Sequence, residues 1–120
     1  VSSLALALSP ARLNMALDLF MITFESARAL VTKELARHML DSSDDVELAI
    51  VDSGTLEYSW GWVFFYNSVA YIESGSSLER LAGNAPFIVE RETGRLLETG
   101  TAHSLESYIA AYERSGNPHS

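Results

Sequence analysis

The sequence predicts an α+β domain: a four-stranded antiparallel sheet with N- and C-terminal helices, in the order α-β-β-(irregular)-β-β-α. Three observations lead there. Apolar residues recur at helical spacing near both ends, at Phe24, Ala27, Val31, Leu35 and Met39 and again at Leu105, Tyr108, Ile109 and Tyr112. Between these stripes lie short runs rich in β-branched and aromatic residues, divided by Gly, Asn, Asp and Pro. Strands and helices do not alternate, so the sheet is expected to be antiparallel with the helices packed on one face.

Residues 1–20 read as an N-terminal extension, dispensable for folding. Leu4, Leu6 and Leu8 alternate, Ser9-Pro10 has the form of a helix start, and Leu13, Ala16, Leu17 and Phe20 suit a short helix over about 10–20. The apolar run lacks the basic flank of a signal peptide. A single domain is expected over 21–116, with 117–120 as a tail. Thr23 can cap the first helix, and Glu25 in its first turn suits the helix dipole. The acidic, serine-rich run Asp41–Asp45 ends that helix. Val46–Val51 reads as the first strand, Asp52-Ser53-Gly54-Thr55 as a turn, and Tyr58–Tyr66 as the second strand. On that reading Trp60, Trp62, Phe64 and Tyr66 share one register. Ser68–Leu81 is irregular, with a helical turn to be expected on either side of Gly75. Phe87–Glu90 and Arg95–Thr99 pair through a hairpin at Glu92-Thr93-Gly94. Ser104 caps the last helix, and Gly116 with Pro118 stops it.

The composition excludes several classes of function. A chain of 120 residues, 48% hydrophobic and 20% charged, can bury a real core as one domain. It has no cysteine, which removes disulfides, thiolate metal sites and cysteine nucleophiles, and suits a cytoplasmic location. Sixteen acidic residues against eight basic ones leave a net charge of −8, unfavourable for binding nucleic acid or anionic membranes. No apolar stretch is long enough to span a bilayer.

The charge is also segregated. No Lys or Arg occurs between Arg37 and Arg80, whereas Asp41, Asp44, Asp45, Glu47, Asp52, Glu57, Glu73 and Glu79 all lie there. Same-sign charge at that density repels itself, so solubility alone is an incomplete account. A basic protein partner would relieve the repulsion and gain in association rate. Asp44, Asp45, Glu47, Asp52 and Glu57 are the first candidates for contact, with Trp60 as an apolar anchor. A homodimer is compatible with the sequence.

Nothing points to catalysis. His38, His103 and His119 stand at no ligand spacing from one another, and there is no nucleophile elbow or phosphate-cradling glycine loop. Asp44 and Asp45 lack the spacing of an EF-hand. The expectation is a non-catalytic binding module with no metal and no cofactor. Glycine between two tryptophans, at Gly61, marks either a bulge or a close backbone approach.

A family resemblance runs through the domain. Gly61-Trp62-x-Phe64-x-Tyr66-x-Ser68, then Tyr71 and Gly75, then Leu81-Ala82-Gly83-Asn84-x-Pro86-Phe87-Ile88-Val89 lead into Thr93-Gly94, Gly100-Thr101 and Leu105-Glu106-x-Tyr108-Ile109-x-x-Tyr112. Together they resemble the YrhB-like domain, also called immunity protein 35, from about Met21 to Arg114. The resemblance implies a small cytoplasmic bacterial protein that neutralises a toxin by binding it, with a chaperone-like holdase as the alternative. It brings no catalytic residue with it. Its recurring positions are structural: Gly61 and Trp62 in the aromatic strand, Gly83 and Asn84 in a turn, Pro86 at strand entry and Gly94 in a hairpin.

Overall fold

A computed structural model describes residues 21–120, so the N-terminal extension expected over 1–20, with its short helix, lies outside the described residues. Helix α1 (Phe24–Asp41) begins where Thr23 Oγ1 accepts the Ser26 backbone N–H at 3.1 Å, with Glu25 in the first turn. It ends at the acidic run. Asp44 Oδ1 accepts the Val46 N–H at 3.2 Å, a local bond that competes with further helix and shapes the loop. Strand β1 (Leu48–Ile50) follows, then a single 3₁₀ turn (Asp52–Gly54), β2 (Leu56–Tyr58), β3 (Gly61–Phe64) and β4 (Tyr66–Ser68). Helix α2 (Val69–Ser74), β5 (Phe87–Glu90), β6 (Leu96–Glu98) and α3 (Leu105–Ser115) complete the described chain. Helix α3 is capped by Ser104 Oγ and closed at Gly116, where the sequence placed its ends.

The strands form two antiparallel sheets. One has four strands in the order β2-β3-β5-β6, and the other pairs β1 with β4. The stretch expected as one strand over Tyr58–Tyr66 is therefore divided. Ser59 and Trp60 are the turn of a hairpin, registered by Tyr58 opposite Gly61. From Gly61 the chain runs extended into two successive partners, β5 as far as Phe64 and then β1, where Ile50 lies opposite Tyr66. The strand expected over Val46–Val51 thus leaves the main sheet, and β2 takes a place in it.

The turn also corrects the register of Trp60. Trp62, Phe64 and Tyr66 enter the core beneath α1, as their alternation predicts, together with Ala27, Val31, Leu35, Ile50, Phe87 and Val89. Trp60 packs on the opposite face with Tyr58 and Phe65, beside Val63, Ile88, Ile109 and Tyr112. The helices consequently cover opposite faces of the sheet, not one. The physical reason lies in β3 and β5. Trp62-Val63-Phe64 and Phe87-Ile88-Val89 are apolar in both registers and buried on both sides, so each face needs a cover.

Gly61 is where backbone meets backbone. It adopts φ +153°, and a Cβ there would overlap the carbonyl oxygen of Val89, with Val89 C at 3.0 Å and Arg91 N at 3.1 Å. The close approach is the alternative that holds. Arg91 closes the same corner. Its N–H donates to Trp60 O at 2.8 Å, its guanidinium donates to Tyr58 O and Ser59 O, and its charge sits 4.3 Å from the Trp62 ring centroid.

Candidate protein-binding surface

The structure sorts the acidic third of the chain into paired and unpaired carboxylates. Asp52 is held by Arg28 in a two-pronged bond at 2.8 and 2.9 Å, which lowers the carboxyl below its ordinary pKa. Glu57 meets Arg91 at 3.0 Å, and Asp41 meets Arg37 at 3.2 Å. Trp60 is half-buried: its indole N–H donates to Glu113 at 2.9 Å, and its ring stacks on Tyr58 at 4.7 Å. These three predicted contact residues, Asp52, Glu57 and Trp60, are thus engaged within the fold.

Asp44, Asp45 and Glu47 form no ion pair among the described residues and are exposed on the loop between α1 and β1. The fold brings two further acids to them. Glu73 on α2 and Glu79 in the loop after it join Asp45 and Glu47 around an open groove of about 720 Å³. Val46, Val69, Leu78 and Leu81 supply apolar lining, and Arg80 is the base there. A second cleft, of about 460 Å³, adjoins it across Val46 and Leu81 and contains Arg37, His38, Asp44, Tyr66 and Asn84. The β1–β4 pairing creates this neighbourhood, because β4 leads into α2 while β1 follows the acidic loop.

The recurring structural positions shape the adjoining wall. Asn84 donates through Nδ2 to Tyr66 O at 2.6 Å, Gly83 takes φ +79°, and Pro86 O accepts from Thr99 through both N–H and hydroxyl. Gly94 closes the β5–β6 hairpin with its N–H on Glu90 O at 2.9 Å. Trp62 is core.

Sequence reasoning missed Leu78, Leu81, Glu73 and Glu79 as a site. A leucine set in the polar run Ser74-Gly75-Ser76-Ser77-Leu78-Glu79-Arg80, with no apolar residue three or four positions before it, was the available signal. Among the described residues no group of His, Asp and Glu side chains is placed to hold a metal ion. His38 sits 3.2 Å from Glu34, with its ring edge-on to Tyr66 and Phe87. His103 and His119 both have their rings against Tyr108, with centroids 5.8 and 5.6 Å away. No helix among the described residues is long and apolar enough to cross a membrane.

Comparison with known proteins decides the family. The model of the family described as immunity protein 35 matches residues 25–111, which take in α1 from its second residue and the first seven residues of α3. The chain belongs to the immunity protein 35 family. It is 39% identical to the Escherichia coli (strain K12) protein described as "Uncharacterized protein YrhB", over 93 residues. That alignment covers 78% of this chain and 90% of the relative. No solved structure matches the chain significantly. The immunity protein 35 match spans both sheets, so the acidic loop and the groove lie inside the family domain.

Proposed function

We propose that this chain is an immunity protein that neutralises a cognate bacterial toxin by binding it directly, as a non-catalytic module. Membership of the immunity protein 35 family carries the reading. The charge supports it. The carboxylates left unpaired by the fold gather on the α1–β1 loop and around α2, where a basic toxin would be attracted from a distance and held in register. The reading takes the cytoplasm as the place of action, consistent with a chain free of cysteine. A holdase would need a broad apolar surface. The large apolar residues exposed here are divided instead among α1 (Phe24, Leu30, Leu40), the loop after it (Val46), β2 (Leu56), α2 (Ile72) and the loop that follows α2 (Leu78).

The test is protection. Cells expressing the cognate toxin should survive when the chain is co-expressed, and the two proteins should co-elute. Death at wild-type rate, with the chain folded and abundant, would remove the reading.

A further inference from the structure

The loop after α2 is more firmly built than its serine-rich sequence advertises. Ser74 Oγ accepts from Ser76 N–H at 3.0 Å and donates to Glu79 Oε2 at 3.1 Å. The Glu79 N–H donates to Ser76 O at 3.0 Å. Two buried polar side chains of β4 hold its far end. Ser68 Oγ donates to Glu79 O at 2.7 Å, and Asn67 Oδ1 accepts from Leu81 N–H at 2.9 Å. Burying a hydroxyl or amide is unfavourable unless it is hydrogen-bonded, and both of these find partners on this loop's backbone. The loop so fixed carries Leu78, which is 95% exposed. An ordered loop that holds a leucine in water has already met the ordering cost of binding.

Leu78 borders the 720 Å³ groove, with Val46 and Leu81 as further apolar lining. Acids stand on both flanks, Asp45 and Glu47 on the α1–β1 loop and Glu73 and Glu79 on α2 and its following loop. Apolar lining between two acidic flanks, with four carboxylates against the one base Arg80, complements one chemistry: an apolar side chain with a lysine or arginine to either side. Resting on the toxin-binding reading, we infer that this groove receives a short surface segment of the toxin in which basic residues flank an apolar one. The apolar side chain covers Leu78, Val46 and Leu81, and the cations meet the flanking carboxylates. Area removed from water then holds the complex, while the carboxylates set its association rate and salt dependence.

The experiment follows backbone amide shifts of the isotope-labelled full chain titrated with the synthetic peptide acetyl-Lys-Leu-Lys-Leu-Lys-amide. Controls are the same peptide with serine for leucine and with glutamate for lysine. The expected shifts concentrate at residues 45–47, 68–73 and 78–81. They weaken by about fivefold or more in affinity with the serine peptide or with Leu78→Ser, and vanish with the glutamate peptide. Leu78→Ser changes an exposed side chain, and Glu47→Gln with Glu73→Gln gives an independent loss. Shifts spread evenly over Glu92, Glu106 and Glu113, or equal affinity for Leu78→Ser, overturn the groove assignment. A chain that protects cells yet shows no groove shifts overturns the groove and leaves the immunity reading standing. Groove shifts without protection uphold the basic-apolar site and overturn the toxin as its occupant.

Discussion

Replacing Gly61 by alanine tests the corner where β2, β3 and β5 of the four-stranded sheet meet. A Cβ at this position cannot coexist with the Val89 carbonyl oxygen, and the atoms behind it, Val89 C and Arg91 N, are backbone. No side-chain rotamer can relieve the overlap. Either Gly61 leaves φ +153° or β3 and β5 separate at their first register pair, Gly61 opposite Glu90. Local backbone strain costs about 1–3 kcal/mol. Opening the bond from Arg91 N–H to Trp60 O and its neighbour adds about 1 kcal/mol each. The sum, about 3–5 kcal/mol, is a large fraction of a domain's ordinary stability. It corresponds to a fall in Tm of roughly 10–20 °C. Urea titrations and thermal melts followed by circular dichroism give the number. Gly83→Ala is the matched control, since Gly83 has φ +79° with nothing within 4 Å of the added methyl. It should lose about 1 kcal/mol for its backbone angle alone. A Gly61 variant no less stable than the Gly83 variant would refute the close-approach argument.

Other outcomes follow from the core and the charge network. Ile109→Ala should cost about 2–5 kcal/mol by urea titration, because the side chain fills the face between α3 and β5; a loss under half a kcal/mol would place α3 outside the core. Glu90 is held at about pKa 2 by Arg95 first, then by the hydroxyls of Thr93 and Tyr112. Its folded pKa lies below the ordinary value, so its contribution is complete above about pH 4.5 and fades as pH falls towards 2. Tyr112→Phe keeps the ring but removes the 2.7 Å hydrogen bond to Glu90, so the variant's stability should fall less steeply over that acid range. Equal pH slopes for variant and wild type would show the bond to be idle. Glu57→Lys should lower Tm more than Asp45→Lys, because only Glu57 is paired, to Arg91; the reverse order would contradict the sorting of the acids.

The helices were legible because each carries its own boundary chemistry: Thr23 and Ser104 at the starts, the Asp41–Asp45 run and Gly116 at the ends. The hairpin at Gly94 was legible for the same local reason. Sheet partnership was not, since nothing in Tyr66-Asn67-Ser68 says that its neighbour is β1 while Gly61–Phe64 pairs with β5. The opposed placement of the helices was present in the sequence as strands apolar in both registers, but the absence of βαβ alternation drew the expectation to one covered face. Charge counting found the acidic region and three exposed members of it, Asp44, Asp45 and Glu47. It could not see that Arg28 and Arg91, far along the chain, neutralise Asp52 and Glu57. Nor could it place Leu78 beside Val46, a meeting produced by the β1–β4 pair and by Asn67 and Ser68 beneath the loop.

The most direct test of the account is the association rate with the cognate toxin, measured by stopped flow at low salt. Asp45→Lys with Glu47→Lys changes two groove carboxylates. Glu92→Lys with Glu106→Lys changes two exposed acids outside the groove's lining, with the same shift in net charge. The account predicts that the groove pair slows association by about tenfold, that the other pair leaves it close to wild type, and that high salt narrows the difference. Equal slowing by both pairs, or none by either, would contradict it.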